Sequence, residues 1–503
     1  MSRPISSFQR PRGARTPPWG LALAAATAIG LGIRLFRLDH FSYGLDEILE
    51  AFWIKGSWAF LWKSIRFDAV HPPLDYVIGR ALEPLHPADW TRQLADVLWG
   101  TATIPAVGLL LRRRAGEAAG TIAAFLLAFA PFHVRYSQEF RPYALALFLL
   151  SVALLSLDLY IERPGLARLL ALYLASLATA YALYFAAVVL ALAALTMLVE
   201  DARGADPARR ATARRFLLAS PLFCAALAAA YLPWWPVVLE AARRPPMAAR
   251  APMTLARADR VFSFFLFAPD GGYPLRLPGT AYLLVVLAGA IVAAARPRLR
   301  FLLAWSLGGI AVIEIIGQIH PHYDFVRRFL PAGLGLIPLA AVALAGLSKM
   351  RRWRALALAM VLGIAALDLR SLTTYFRGGR ADWRTLGSAV RALPAGEPVF
   401  TENPYSQLCT AFYGVREEWL YEQMTPGAPK IGRPILNLDG EIVRLTWSWP
   451  PGTRAWLVLA GEPVQPELRS WAARFPATPY PAAERAILVR LEPALRHAAL
   501  AGR

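Results

Sequence analysis

The chain has 503 residues, of which 57% are hydrophobic and 17% charged, with a formal net charge of +20 and a mean hydropathy of +0.41. A water-exposed globular surface needs more charge, and a disordered chain holds far less apolar residue, so both classes are excluded and a polytopic membrane protein remains. Of the 54 basic residues 50 are Arg, in short runs between apolar segments rather than along one helix face; that placement suits orientation in a bilayer and argues against a nucleic-acid partner.

The first apolar stretch follows Arg3, Arg10, Arg12 and Arg15 and resembles a signal peptide at its start. It is long enough to cross the bilayer, many others follow, and no cleavage site precedes Arg34 and Arg37, so it is expected to be a retained helix. Spans of about 17 to 25 residues fit a bilayer core of about 30 Å. The sequence predicts about 11 transmembrane helices, at 18–37, 92–111, 117–134, 141–161, 166–182, 184–200, 216–238, 278–295, 300–318, 327–347 and 353–372.

Alternate short connections are rich in arginine: Arg112 to Arg114, Arg163 and Arg168, Arg203 to Arg215, Arg296 to Arg300, and Lys349 to Arg354. The positive-inside bias makes these loops and the N-terminus cytoplasmic, and an odd number of spans then puts the tail outside. The expected division is a transmembrane domain over 1–372 and an extracytoplasmic α/β domain over 373–503. Short branched apolar runs at 397–401, 453–460 and 485–491 are the strand signals in that tail. Cys224 lies in an apolar run and Cys409 in the tail, so neither a structural disulfide nor a zinc or iron–sulfur spacing is expected.

In the first outer loop, Leu45, Leu49, Phe52 and Trp53, then Trp58, Leu61, Trp62 and Ile65, recur at helical spacing around Gly56-Ser57. Two short helices in the membrane interface are predicted, although plain packing produces the same pattern. Asp46 and Glu47 stand just after a turn, close to where the first helix leaves the bilayer, and carboxylates there are costly. They either work chemically or cap the following helix at its positive dipole end. His71-Pro72-Pro73-Leu74 fixes an extended backbone that holds the imidazole at a defined height.

Between the third and fourth spans, His133, Arg135, Tyr136, Gln138, Glu139, Arg141 and Tyr143 concentrate polar groups where a simple connection needs few. Arg135 and Arg141 suit bidentate phosphate binding, and Glu139 suits an arginine or a metal; the plainer alternative is an ion pair that orients the helices. Near the tenth span His320, His322, Arg327 and Arg328 put further cations on the outer side, which an anionic ligand or snorkelling anchors would explain. Glu314, inside the ninth span, is expected to face protein or a wet cavity.

Asp46-Glu47, His71-Pro72-Pro73-Leu74, Tyr136-Ser137-Gln138-Glu139 with Arg141-Pro142-Tyr143, and Arg327-Arg328-Phe329-Leu330-Pro331 together resemble bacterial family 39 glycosyltransferases. Those enzymes are related to the protein O-mannosyltransferases and the lipid A aminoarabinose transferase, all of the GT-C fold. The similarity covers about 18–347. It implies an inner-membrane enzyme that moves a sugar, with inversion, from a polyprenyl-phosphate carrier to an acceptor on the outer face. It implies Asp46 as the catalytic acid–base, with Glu47 and Glu139 as the accompanying acids. His71, Arg135, Tyr136, Arg141, Tyr143, His320, His322, Arg327 and Arg328 are then the candidate substrate-binding residues, and Asp46 with Glu139 a candidate site for Mg²⁺ or Mn²⁺. Relatives that modify lipid A often carry Lys where this chain has His71. The acceptor is left open, because the family spans lipids, glycans and proteins.

Two rival classes share some of these features. A transporter or lipid flippase would place its ionisable groups near the bilayer midplane, often in duplicated halves; here they sit at helix ends and no repeat is evident. An oligosaccharide ligase acting on diphosphate carriers would share the architecture.

Overall fold

A computed structural model describes residues 19–85, 88–244, 255–266, 277–319, 326–377, 382–394, 397, 399–401, 404–414, 435–437, 455–460, 477–478 and 486–491. Each expected span coincides with an apolar helix. The first is α1 (Trp19–Leu35). Three short helices of the first outer loop follow: α2 (Leu45–Lys55), α3 (Trp58–Asp68) and α4 (Leu74–Leu82). The bundle continues with α5 (Asp89–Ala115), α6 (Glu117–Phe129), the short α7 (Pro131–Tyr136), α8 (Tyr143–Glu162), α9 (Leu166–Ala182), α10 (Tyr184–Arg203) and α11 (Pro207–Tyr231). Next come α12 (Trp235–Arg243), α13 (Leu255–Leu266) and α14 (Leu277–Ala295), then long helical runs over Pro297–Ile319, Val326–Ser348 and Arg351–Arg377. Among the described residues, seven helices are long and apolar enough to cross a membrane, and Trp19–Leu35, Glu117–Phe129, Leu166–Ala182 and Gly279–Ala295 are shorter apolar ones. The protein is a multi-pass membrane protein.

At the arginine-rich end of the bundle, the basic runs bind acids at the ends of apolar helices. Asp158 of α8 receives Arg113 Nε at 2.5 Å, Arg114 Nε at 2.6 Å and Arg209 Nη2 at 2.7 Å. Asp201 of α10 receives Arg114 Nη2 at 2.7 Å and Arg209 Nη2 at 3.0 Å. Both acids are buried, so four helices are tied together there. Charges taken out of water persist only when paired in this way.

At the opposite end α1 delivers a fully buried arginine. Arg34 donates to the α6 terminal carbonyls of Leu127 and Ala128 at 3.2 Å each, to Ser137 Oγ at 3.2 Å, and lies 2.8 Å from His133 Nδ1. A cation at the negative end of α6 is favoured by its dipole. Gly100 leaves the space for this cluster, since a Cβ there would meet Ser137 Oγ at 1.9 Å. Gln138 Nε2 completes the joint by donating to the carbonyls of Arg34 and Phe36. The second outer loop is thereby fixed to the exit of α1.

The two short helices expected from the aromatic spacing are α2 and α3, separated at Gly56-Ser57; Ser57 Oγ accepts from Phe60 N at 3.2 Å as the N-cap of α3. Among the described residues of the tail, the helices Trp383–Ala392 and Pro404–Gly414 accompany five strands, β1 (Val399–Thr401), β2 (Ile435–Asn437), β3 (Ala455–Ala460), β4 (Ala477–Thr478) and β5 (Ala486–Leu491). Their order is β2-β1-β3-β5-β4, parallel across β2, β1 and β3 and antiparallel across β3, β5 and β4. The mixed α/β tail read from the strand signals is borne out. It packs on the first outer loop: Trp383, Leu386, Phe412 and Tyr413 share one apolar core with Tyr43, Ile48, Phe52 and Trp53. Tyr43 N donates to Tyr413 Oη at 2.8 Å and Trp383 N to Ser42 Oγ at 3.0 Å.

Candidate active site

The site is built where α2, α4, the second outer loop and the start of the Val326–Ser348 helix converge. Gly44 precedes α2 in an extended conformation, and Glu47 reaches back to accept its N–H at 2.9 Å, closing the first turn. The other Glu47 oxygen accepts from Phe140 N at 3.0 Å. Glu47 is therefore a buried clasp between the two outer loops, and it leaves its half-buried neighbour Asp46 at the surface of the turn.

Asp46 Oδ2 meets Arg327 Nη1 at 2.5 Å. Arg141 Nη1 donates to the Asp46 carbonyl at 3.1 Å and to Glu50 Oε2 at 3.0 Å. Burial alone would raise the Asp46 carboxyl, but the charges of Arg141 and Arg327 outweigh it and hold the group below the usual carboxylate range. Asp46 is an ionised carboxylate at neutral pH. His71 behaves in the opposite sense: burial, then Arg141 and Arg327, push its imidazole well below its ordinary value. It is neutral, its buried Nδ1 meets no partner among the described residues, and its ring packs edge-on to Tyr143 with centroids 5.7 Å apart.

Beside this group opens a mostly apolar cavity of about 400 Å³. Leu183, Phe185, Val238 and Ile316 contribute apolar wall, while Asp68, His71, Tyr143, Tyr184, Arg244, Arg327 and Arg328 bring polar groups to it. Arg328 donates to the buried Glu314 at 2.9 Å, as the expectation for an intramembrane acid requires. Its guanidinium lies over Gly317, where a Cβ would come within 2.6 Å of Nη1. The backbone enters the cavity through Ala69, which ends α3 in the left-handed region at φ 55°.

Of the residues singled out from sequence, His71, Tyr143, Arg327 and Arg328 line the cavity and Asp46 stands against Arg327. Arg135 pairs with Glu139 at 3.1 Å, Tyr136 is buried against Tyr143, and Arg141 is buried on Glu50; these do not line the cavity. His320 and His322 lie outside the described residues. Asp68, Tyr184 and Arg244 line the cavity without having been singled out. Asp68 was legible only as the acid three residues before His71, and Arg244 only as one more basic residue of a loop.

The arrangement joins a multi-pass apolar bundle, an ionised acid on a short helix beside it and arginines lining an apolar cavity. Residues 70–234, a third of the chain, match the model of the dolichyl-phosphate-mannose-protein mannosyltransferase family. The chain is similar in structure to ArnT from Cupriavidus metallidurans bound to undecaprenyl phosphate, with 14% identity, a TM-score of 0.54, and coverage of 94% of this chain and 97% of ArnT. The Archaeoglobus fulgidus oligosaccharyltransferase in complex with Zn and sulfate matches with 14% identity and a TM-score of 0.52 over 78% of this chain and 61% of its own. The same enzyme, AglB, with an inhibitory peptide and a dolichol-phosphate matches with 13% identity and a TM-score of 0.52 over 79% and 64%. No curated protein sequence matches the chain. The fold is that of the GT-C membrane glycosyltransferases, and the resemblance to family 39 is borne out.

Proposed function

We propose that the protein is an inverting glycosyltransferase that takes a sugar from a polyprenyl-phosphate carrier and gives it to an acceptor hydroxyl at the outer face of a bacterial inner membrane. The observation that carries this reading is the apposition of ionised Asp46 to Arg327, at the edge of an apolar cavity with arginines on its rim. The relatives determined with undecaprenyl phosphate and dolichol-phosphate support the same donor class.

The apolar wall suits the first isoprene units of the carrier, and Arg327, Arg328 and Arg244 suit its phosphate. Neutral His71 can add a hydrogen bond but no charge. Asp46 takes the proton of the acceptor hydroxyl while that oxygen attacks the anomeric carbon from the face opposite the phosphate, so the carbon–phosphate oxygen bond breaks in a single inverting displacement. Negative charge grows on the departing polyprenyl phosphate, and the arginines stabilise it; losing one such preorganised group typically costs about 3 kcal/mol. A Mg²⁺ or Mn²⁺ on Asp46 and Glu139 is the rival to the arginines. The residues do not fit it: Asp46 is held by Arg327 and Glu139 by Arg135, and among the described residues no three His, Cys, Asp or Glu side chains gather for a metal ion.

In this reading the arginine-rich end is cytoplasmic, and residues 373–503 form an extracytoplasmic domain that braces the first outer loop. Purified protein incubated with a panel of polyprenyl-phosphate sugars, with and without chelator, is expected to consume at least one of them and release polyprenyl phosphate. Failure to turn over any of the panel in the presence of membrane lipid and glycan acceptors would overturn the assignment.

A further inference from the structure

One buried group plays no part in the transfer step as described. Glu50 lies one turn after Asp46 on the same face of α2, and Asp75 follows the His71-Pro72-Pro73 segment at the start of α4. Glu50 is wholly inaccessible and Asp75 6% exposed. Glu50 Oε1 and Asp75 Oδ2 are buried and reached by no N–H or O–H donor among the described residues, and the two carboxyls stand within hydrogen-bonding reach of each other. Two ionised carboxylates have no hydrogen to place between them, so such a contact needs a proton. The surroundings point the same way. Among the described residues, the titratable groups facing the pair are Glu47 on α2, Tyr76 on α4, Asp96 on α5 and Arg141 of the second outer loop, with Arg141 the cation of that set. Burial, the charge of Asp75 and that of Glu47 all raise Glu50, against Arg141.

We propose that Glu50 and Asp75 hold a single proton between them and act as one positioning unit, whose one negative charge pins Arg141 across the turn that carries Asp46. Arg141 Nη1 is shared between Glu50 Oε2 at 3.0 Å and the Asp46 carbonyl at 3.1 Å. With one charge on the pair, the guanidinium serves both acceptors. With two charges it is drawn toward the carboxylates, and the Asp46 turn loses its restraint. Neither Glu50 nor Asp75 lines the cavity, so both act through Arg141 rather than on substrate.

This inference rests on the proposed transfer reaction for its kinetic readout but not for its spectroscopic one. Asp75→Asn supplies a permanent N–H donor to Glu50. It is expected to keep transfer within about threefold of the wild type at neutral pH and to move the alkaline limb of the pH–rate profile to higher pH, because no second charge can form. Glu50→Gln removes the anion that holds Arg141 and is expected to lower kcat by about tenfold or more at unchanged acceptor KM. Infrared spectra of the full-length protein should show a protonated-carboxyl band at neutral pH that both variants lose and that Asp96→Asn, the control for the neighbouring acid, retains. An alkaline limb in Asp75→Asn identical to the wild type, full activity in Glu50→Gln, or a band unchanged by both substitutions overturns the proposal. Should Asp75→Asn fail to fold, the difference spectrum between the wild type and Glu50→Gln decides: a protonated-carboxyl band missing from Glu50→Gln supports the pair and its persistence refutes it. If the wild type shows no transfer at all, the assigned function fails while the infrared result still decides the pair.

Discussion

Asp46 Oδ2 and Arg327 Nη1 meet at 2.5 Å, joining the second residue of α2 to a helix start 281 residues further along the chain. In the proposed reaction the pair sets the working range of the base. Arg141 and Arg327 hold the Asp46 carboxyl low, so the ionised form persists until the pH falls through that depressed value. Arg327→Gln removes one of the two cations and lets burial push the group up, so the acid limb of the pH–rate profile should move to higher pH. Asp46→Asn should abolish transfer at every pH while membrane insertion and thermal unfolding stay near the wild type. Rates of donor consumption across a pH series check both, and near-normal turnover in Asp46→Asn would remove it from the role of base.

Gly317 offers a way to move a cavity arginine without touching its charge. An added Cβ would sit 2.6 Å from Arg328 Nη1 and 3.0 Å from Cζ, and the flexible end of the side chain gives way more readily than backbone. Gly317→Ala should therefore insert and fold, with Arg328 displaced from Glu314 and from the cavity. The expected result is a donor KM raised by about tenfold, or about 1.4 kcal/mol of binding, with acceptor KM little changed. Equal effects on both substrates would place Arg328 outside donor recognition.

Ala69 ends α3 at φ 55° and ψ 11°, and its N–H donates to Ile65 O at 2.9 Å. An L-residue in that region costs about 1–2 kcal/mol relative to one without a Cβ, and glycine loses about 0.5–1 kcal/mol of this through its freer unfolded chain. Ala69→Gly should stabilise the protein by about 0.5 kcal/mol, whereas the branched side chain of Ala69→Val should destabilise it by more than 1 kcal/mol. Thermal unfolding in detergent reads both; a Tm lowered by Ala69→Gly would mean that the turn is not under strain.

The bilayer explains how much of this was legible. Hydrocarbon forces each crossing segment to be apolar and helical, so the spans stand out in the sequence, as do the arginine runs between them. The motif acids and arginines were legible as candidates because charge near hydrocarbon needs a reason. Their partners were not. Nothing in the spacing says that Arg327 rather than Arg135 reaches Asp46, since that pairing depends on how distant helices pack. Arg34 reads as the charged end of a span, yet it is fully buried on carbonyls, Ser137 and His133. Asp158 and Asp201 look like incidental acids at the ends of apolar runs, and become the anchors of Arg113, Arg114 and Arg209 only once α5, α8, α10 and α11 are brought together. Asp75 passes as an acid two residues after a His-Pro-Pro turn until Glu50 is placed against it.

One of the hydrogen bonds that join the tail to the first outer loop can be removed and its loss measured. Tyr413 Oη accepts from the N–H of Tyr43, which is wholly buried, and Tyr43 stands directly before the Gly44 cap of α2. Tyr413→Phe keeps the ring and its packing beside Phe412 but leaves a buried backbone donor with nothing to bond, at a cost of about 1–3 kcal/mol. The cost falls on the contact between tail and loop, because the spans do not depend on it. Amide exchange should therefore speed up at residues 42–48 and 404–414 while α5 and α8 remain protected. Transfer should fall in proportion as the Asp46 turn spends time displaced from Arg327. Unchanged exchange at 42–48, or a loss of protection spread evenly over the bundle, would mean that the tail does not brace the turn that carries Asp46.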